Sequence, residues 1–365
     1  PTTRQGMIAI LRQTFIRAEE DSLEGDDSRI FAQLLTEELP FRVLVNTPDD
    51  ILTALRLAEE FELNLVLDSA AGGREVAAAT AAALQLGSLS VGILLILSGG
   101  IIALTTLRRG AREGLRVIAI AVSLAFAVRY ALVHQGMPIL ILCMVTWLPS
   151  WIMAVVLGEQ RQQAVPLLIA AVLVAGYAFA MRLVIGDVEE FWMLRLEIVL
   201  EVLVRETGRR FAPEQIAFIA RNLHIWTLVA MNAMLVGMVM LGRWWQSVLF
   251  NPGGFGTEFG ELRLPRLATM AAAIAGALFA ADQALGFGLA IAGDVFVILV
   301  VLFTFQGLAV VHYRARLVSM ANGWLGGMYV LLLLLPQIVG PLLATAGVAD
   351  SVANFRGLGR LPDGD

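Results

Sequence analysis

The chain has 365 residues, 58% of them hydrophobic and 16% charged, with a formal net charge of −5 and a mean hydropathy of +0.77. Soluble domains carry roughly 45–50% apolar residues, so an ordinary water-soluble globule is excluded, and no nucleic-acid partner is expected. The single cysteine, Cys143, excludes a disulfide framework and a cysteine-built metal centre.

Charge divides the chain. Residues 1–80 hold 7 arginines against 15 acids, residues 81–365 hold 19 against 16, and there is no lysine. An acidic polar head therefore precedes a slightly basic, apolar body. The head lacks the apolar core of a signal peptide, so insertion is expected to rely on the membrane helices themselves.

Within the head, the pattern predicts helix over 5–20, helix over 28–39, a strand at Phe41–Val45, helix over 47–61 and a strand at Leu63–Asp68. Thr47, Pro48, Asp49 and Asp50 form a helix start, with a capping hydroxyl, a proline in the first turn and acids at the positive end of the dipole. Two parallel strands joined by a helix make a βα fragment. The run from Phe41 to Phe61 resembles part of an imidazolonepropionase-like amidohydrolase barrel. That resemblance implies a metal-binding histidine on the first strand, but Leu44 stands there and the first histidine of the chain is His134. No catalytic residue is carried over, and the fragment is too short to bury much core.

A hydrocarbon core of about 30 Å takes about 20 apolar helical residues to cross. Seven segments meet this, near 115–134, 137–158, 164–186, 224–242, 267–284, 288–313 and 324–346. The earlier stretch Val76–Leu107 is interrupted by Gly87, Ser88, Ser90, Gly92, Ser98, Gly99 and Gly100, and reads as one span or two short halves. Arginines gather in alternate connections: Arg108, Arg109, Arg112 and Arg116, then Arg161, then Arg243, Arg263 and Arg266, then Arg314 and Arg316. The positive-inside rule assigns these to the cytoplasm.

Alternation then places 187–222, and the tail beyond Ala349, on the outer side. Phe191–Val204 carries a broad apolar face broken by charges, which predicts an interfacial helix, and Ala212-Pro213-Glu214 starts a second short one. Arg243–Arg266 is predicted as a cytoplasmic interfacial loop. Trp244 and Trp245 suit the headgroup zone, Asn251-Pro252-Gly253-Gly254 is a turn signal, and Phe255 is placed to dip back toward lipid. Arg243, Trp244, Trp245, Asn251, Pro252, Gly253, Gly254 and Phe255 are candidate contacts for a membrane-protein partner. The glycines do not follow a phosphate-loop pattern.

Four ionisable residues fall inside predicted spans: Arg129, Arg182, Asp282 and Asp294. Each lies within about 9 Å of the outer end of its helix. Charges at such depths pair inside a bundle or snorkel to headgroups. Arg–Asp pairing across these helices, with Tyr130 and Tyr177 at similar depth, is the candidate small-molecule site. Trp147, Trp151 and Gln337 stand beside Pro149 and Pro336 and read as core or cavity lining. No catalytic constellation, metal-ligand cluster or cofactor is expected.

Leu107–Gly114, Arg243–Arg266 and Asp350–Arg356 together resemble the YybS-like family of bacterial predicted membrane proteins, over roughly residues 76–360. The family's function is undefined. Its distant similarity to the substrate-binding components of energy-coupling-factor vitamin transporters and to the rod-shape protein MreD implies the bacterial inner membrane.

The sequence thus predicts an all-α polytopic membrane bundle of about eight transmembrane helices with a small N-terminal α/β fragment. Residues 1–75 form the fragment, 76–349 the membrane domain, and 350–365 a tail. The expected role is non-enzymatic. Outer-side solute binding and an MreD-like scaffold acting through 243–266 are the alternatives, with hydrolysis by the head argued against by its missing histidines.

Overall fold

A computed structural model describes residues 4–20, 22, 26–36, 38–44, 48–68, 73–87, 93–134, 136–160, 162–208, 211–318 and 322–357. The chain divides into two compact units, Pro1–Ala79 and Thr80–Asp365.

The first unit runs α1 (Arg4–Glu19), α2 (Asp26–Leu35), β1 (Phe41–Leu44), α3 (Pro48–Glu60) and β2 (Leu65–Asp68). The strands pair in parallel, Phe41 opposite Leu65 and Leu44 opposite Asp68, and α3 is the crossover that parallel pairing requires. Its core is built on Phe15, whose ring lies 4.9 Å from Phe31, 5.5 Å from Phe41 and 5.1 Å from Phe61. Arg12 ties α1 to α3 through two hydrogen bonds to Glu60 Oε2, at 2.9 and 2.6 Å. The element order is the one the head's pattern predicts. Val45 and Thr47 lie outside the described residues.

The division falls within α4 (Gly73–Gly87), and the second unit continues through α5 (Ile93–Arg109), α6 (Ala111–Val133), α7 (Met137–Gln160), α8 (Ala164–Ile185), α9 (Val188–Thr207) and α10 (Pro213–Phe250). It ends with α11 (Gly254–Gly260), α12 (Arg266–Leu285), α13 (Ala290–Leu317), α14 (Asn322–Leu334) and α15 (Pro336–Ala353). The protein is an all-α polytopic membrane bundle. Among the described residues six helices are long and apolar enough to cross a bilayer: α6, α7, α8, α10, α12 and α13. Of the expected spans, one takes the second of its two readings and one is broken. Val76–Leu107 forms the separate helices α4 and α5, and the predicted span 324–346 is split at Leu335.

The arginine-rich connections gather at one end of this unit, here called the arginine end. Arg108 lies over the Phe250 ring at 4.1 Å, Gln163 Nε2 donates to Glu258 at 3.2 Å, and Arg316 Nη1 donates to Thr257 at 3.4 Å. Helices α5 and α10 run parallel toward it. Gly99 faces Met238, Gly242 faces Ala103, and Gln246 Nε2 donates to Leu107 O at 3.4 Å. Small residues at this crossing let the backbones approach closely, as in packed membrane helices. Beside it, Ser98 Oγ donates to Gln85 Oε1 at 2.6 Å and accepts from Trp147 Nε1 at 3.1 Å, while Ser150 Oγ donates to Gly99 O at 2.8 Å. Trp147 is therefore core, and Trp151 is half-buried with its indole N–H donated to Ala111 O at 2.9 Å.

Two expectations are corrected along α10. The short helix predicted at Pro213 does not stop, because no proline follows it before Phe250 and helical hydrogen bonding continues through the span. The first third of the predicted 243–266 loop is the end of that same helix. Trp226 and Trp244, both about half exposed, lie about 27 Å apart along its axis at 1.5 Å per residue. That spacing matches the two interfaces of a bilayer. Beyond Trp226 the helix continues away from the arginine end, and α9 folds back beside it, with Glu189 3.9 Å from Arg221.

The C-terminal tail is also corrected. Tyr329 Oη on α14 lies 3.2 Å from His312 Nε2, and Tyr313 Oη donates to Arg356 O, beyond α15, at 3.1 Å. Adjacent residues of α13 thus hold both arms of the α14–α15 pair. The pair enters from the arginine end, reverses at Leu335–Pro336 and returns to the same end. Residues 350–357 consequently lie with the arginine-rich connections and not opposite them. Arg356 and Asp350, both fully buried, fasten the return: Arg356 Nη2 donates to Asp350 Oδ2 at 2.7 Å and to Leu262 O at 2.9 Å. Gln306 accepts from Leu264 N and donates to Ser351 Oγ, at 2.9 and 2.8 Å.

Candidate functional site

Of the four membrane charges singled out by sequence, the structure joins two. Arg182 is in the last turn of α8 and Asp294 in the second turn of α13, both at the end opposite the arginines. Arg182 Nε donates to Asp294 Oδ2 at 2.6 Å and Arg182 Nη2 donates to Oδ1 at 2.9 Å. The fork matches the carboxylate plane and makes a bidentate, charge-assisted pair. Asp294 is 2% exposed.

A third member comes from α10. His224 Nε2 lies 3.3 Å from Asp294 Oδ2. The imidazole is buried, and its Nδ1 has no hydrogen-bond partner among the described residues. His224 joins the pair because α10 and α13 run parallel here; one further stretch along, Asn232 Nδ2 donates to Ile298 O at 3.1 Å. The buried histidine at the start of an expected span was the available signal, but only the helix pairing reveals its partner.

Arg182 keeps Nη1 free of hydrogen bonds among the described residues and borders an open cleft of about 350 Å³ with Phe179, Leu183, Gly186, Gly288, Ala290 and Ile291. One cationic corner and apolar walls suit a small anion with an apolar body. The cleft sits at the interfacial level defined by Trp226.

The remaining candidates lie elsewhere. Asp282 Oδ1 accepts from Leu289 N at 2.8 Å and closes the α12–α13 turn, where Gly286 and Gly288 adopt φ of 69° and 75°. Arg129, half-buried on α6, has its Nε enclosed without a partner. Tyr130 is exposed and stacks on Phe126 at 6.0 Å. Tyr177 is half-buried against the main core. These four do not share a site with the Arg182–Asp294 pair through any hydrogen bond.

The segment Arg243–Arg266 is fastened down. Arg243 pairs with Glu258, its Nε donating at 3.0 Å, and Ser247 Oγ donates to Asn251 O and accepts from Phe255 N, at 2.7 and 2.9 Å. Gly253, at φ 84°, permits the turn after Asn251 and Pro252; Gly254 then starts α11. Phe255 stacks on Phe259 at 5.7 Å. Trp245 is half-buried against α5 at Gly100. Trp244, Val248, Leu249 and Phe250 remain exposed. Between α5, α7 and α10, a cavity of about 400 Å³ is lined by Leu107, Gly158, Arg243, Gln246, Asn251 and Glu258 among others.

This architecture defines a multi-pass helical membrane protein embedded in the lipid bilayer, with an ion-paired polar centre at one end. Residues 254–351, from α11 into α15, are similar to the family described as Predicted membrane protein (DUF2232), a membrane protein family of unknown function. No curated protein and no solved structure matches the chain.

Proposed function

We propose that the protein is a non-catalytic inner-membrane component that binds a small solute at the Arg182–Asp294–His224 centre, from the side opposite the arginine-rich connections. One observation carries the reading: Arg182 is oriented by a buried carboxylate while its third nitrogen remains available beside an apolar cleft. Ionisable residues inside a bundle are costly and mark binding or relay sites. The same chemistry points to a monocarboxylate or similar anion as the ligand. The test is native mass spectrometry of the whole protein released from nanodiscs, with and without short-chain monocarboxylates, beside Arg182→Gln. A mass adduct on the wild type that Arg182→Gln loses supports the reading. No adduct on the wild type, or the same adduct on both, overturns it.

A second reading has its own observation. The exposed ridge of Trp244, Val248, Leu249 and Phe250 stands on a segment held rigid by Glu258, Ser247 and Arg356, as a scaffold for a partner membrane protein requires. Retention of a partner by the wild type, and its loss on Trp244→Ala with Leu249→Ala, supports that alternative.

A further inference from the structure

The reversal between α14 and α15 lies inside the bilayer span, about one helical turn from its midpoint on the side of Asp294. Thr304 Oγ1 donates to Gly340 O at 3.0 Å, and Thr304 is close to midway along α13 between Asp294, at one interface, and Tyr313, near the other. That places it roughly 14 Å from each at 1.5 Å per residue. Gln337 is one turn before Gly340, at the apex. The backbone there is not helical, Leu335 having φ −132° and ψ 52°. Leu333, Leu334, Ile338 and Leu342 are exposed around it, Gln337 is itself exposed, and its amide makes no hydrogen bond among the described residues.

Lipid cannot satisfy such a group. An amide transferred to a medium without hydrogen-bond partners loses several kcal/mol, and irregular backbone at this depth is tolerated where protein or a water-filled cavity covers it. We infer that this apex face is covered by the same face of a second copy of the chain, with Gln337 of each copy hydrogen-bonded to its counterpart across a two-fold axis.

The amide carries both a donor and an acceptor, so two glutamines related by a two-fold axis satisfy each other reciprocally, as an isologous interface requires. The flanking Leu333, Leu334, Ile338 and Leu342 supply apolar contact and carry no charge that would select a partner of different chemistry. Interhelical hydrogen bonds of this kind are worth about 0.6–2 kcal/mol in membranes, which corresponds to roughly a 3–30-fold change in dissociation constant.

The experiment uses the full chain in lipid nanodiscs and bicelles, with Cys143→Ala as background for labelling. Oxidative cross-linking of Gln337→Cys is expected to give a covalent dimer of the chain. The dissociation constant of the unmodified dimer, measured by fluorescence transfer over a range of protein-to-lipid ratios, is expected to rise about tenfold in Gln337→Leu and to stay near wild type in Gln337→Asn. A wild type that is monomeric at every ratio overturns the inference, as does a dimer that Gln337→Leu leaves unchanged. Cross-linking of Gln337→Cys to a different membrane protein assigns the face to that protein and equally overturns the second-copy proposal.

Discussion

Replacing either partner of the Arg182–Asp294 pair is expected to destabilise the protein unequally, and the structure sets the order. Removing one member of a buried ion pair costs about 3–5 kcal/mol because the other is left uncompensated. The stranded group differs between the two cases: the Asp294 side chain is 3% exposed and the Arg182 side chain 27%. In Asp294→Ala, Arg182 rehydrates or reaches headgroup oxygens, and the expected loss is about 3 kcal/mol, the low end of that range. In Arg182→Ala, a carboxylate remains enclosed with only His224 beside it, and the expected loss is about 4–5 kcal/mol. The double variant is expected to lose about 2–3 kcal/mol less than the sum of the singles, since residues in direct contact couple at this scale. Steric-trapping unfolding in bicelles measures all three. A coupling below about 0.5 kcal/mol, the additive limit, or a larger loss from Asp294→Ala than from Arg182→Ala, would refute the reasoning.

Two further outcomes follow from the fold. With Cys143→Ala as background, cysteines introduced at Arg314 and Phe355 are expected to react with a membrane-impermeant maleimide from one face of the membrane, the cytoplasmic face by the positive-inside rule, and one at Leu285 from the other; reaction of Phe355→Cys together with Leu285→Cys would remove the re-entrant pair. At the α5–α10 crossing, a Cβ on Gly242 would stand 2.6 Å from Ala103 Cβ and 2.9 Å from Gly100 O, whereas one on Gly237 meets only Ile96, at 3.8 Å. Gly242→Val is expected to cost about 1–3 kcal/mol or more through overpacking, while Gly237→Ala is neutral to about 1 kcal/mol stabilising through helix propensity. Thermal unfolding in detergent separates them, and equal losses would contradict the close approach of these backbones.

What could be read in the sequence follows the range of the forces involved. The head's elements were legible because capping, proline placement and alternation act over a few residues, so Pro48 and the Phe41–Leu44 pattern announce α3 and β1. The long spans were legible because bilayer thickness fixes their length. Hydropathy counts apolar residues without assigning them a direction, so 324–346 reads as one crossing although Leu335–Pro336 reverses it. The arginine and tryptophans at 243–245 suggested an interfacial loop, but an interface does not end a helix and α10 runs on to Phe250. Pairing of an arginine with an aspartate was readable from cost alone. That it would be Arg182 with Asp294, joined by His224 while Asp282 closes a turn, depends on which helices lie side by side.

The parallel crossing of α5 and α10 fixes an order of assembly. Roughly 140 residues separate Gly99 from Gly242, so at synthesis rates of about 5–20 residues per second α5 waits for roughly 7–30 s before the last turns of α10 leave the ribosome. Helix α7 emerges well inside that interval and brings Trp147 and Ser150 to Ser98 and Gly99. Trp147 and Ser150 are therefore available to Ser98 and Gly99 before Gly242 is, so the glycine-lined face of α5 is the later of the two to be coverable.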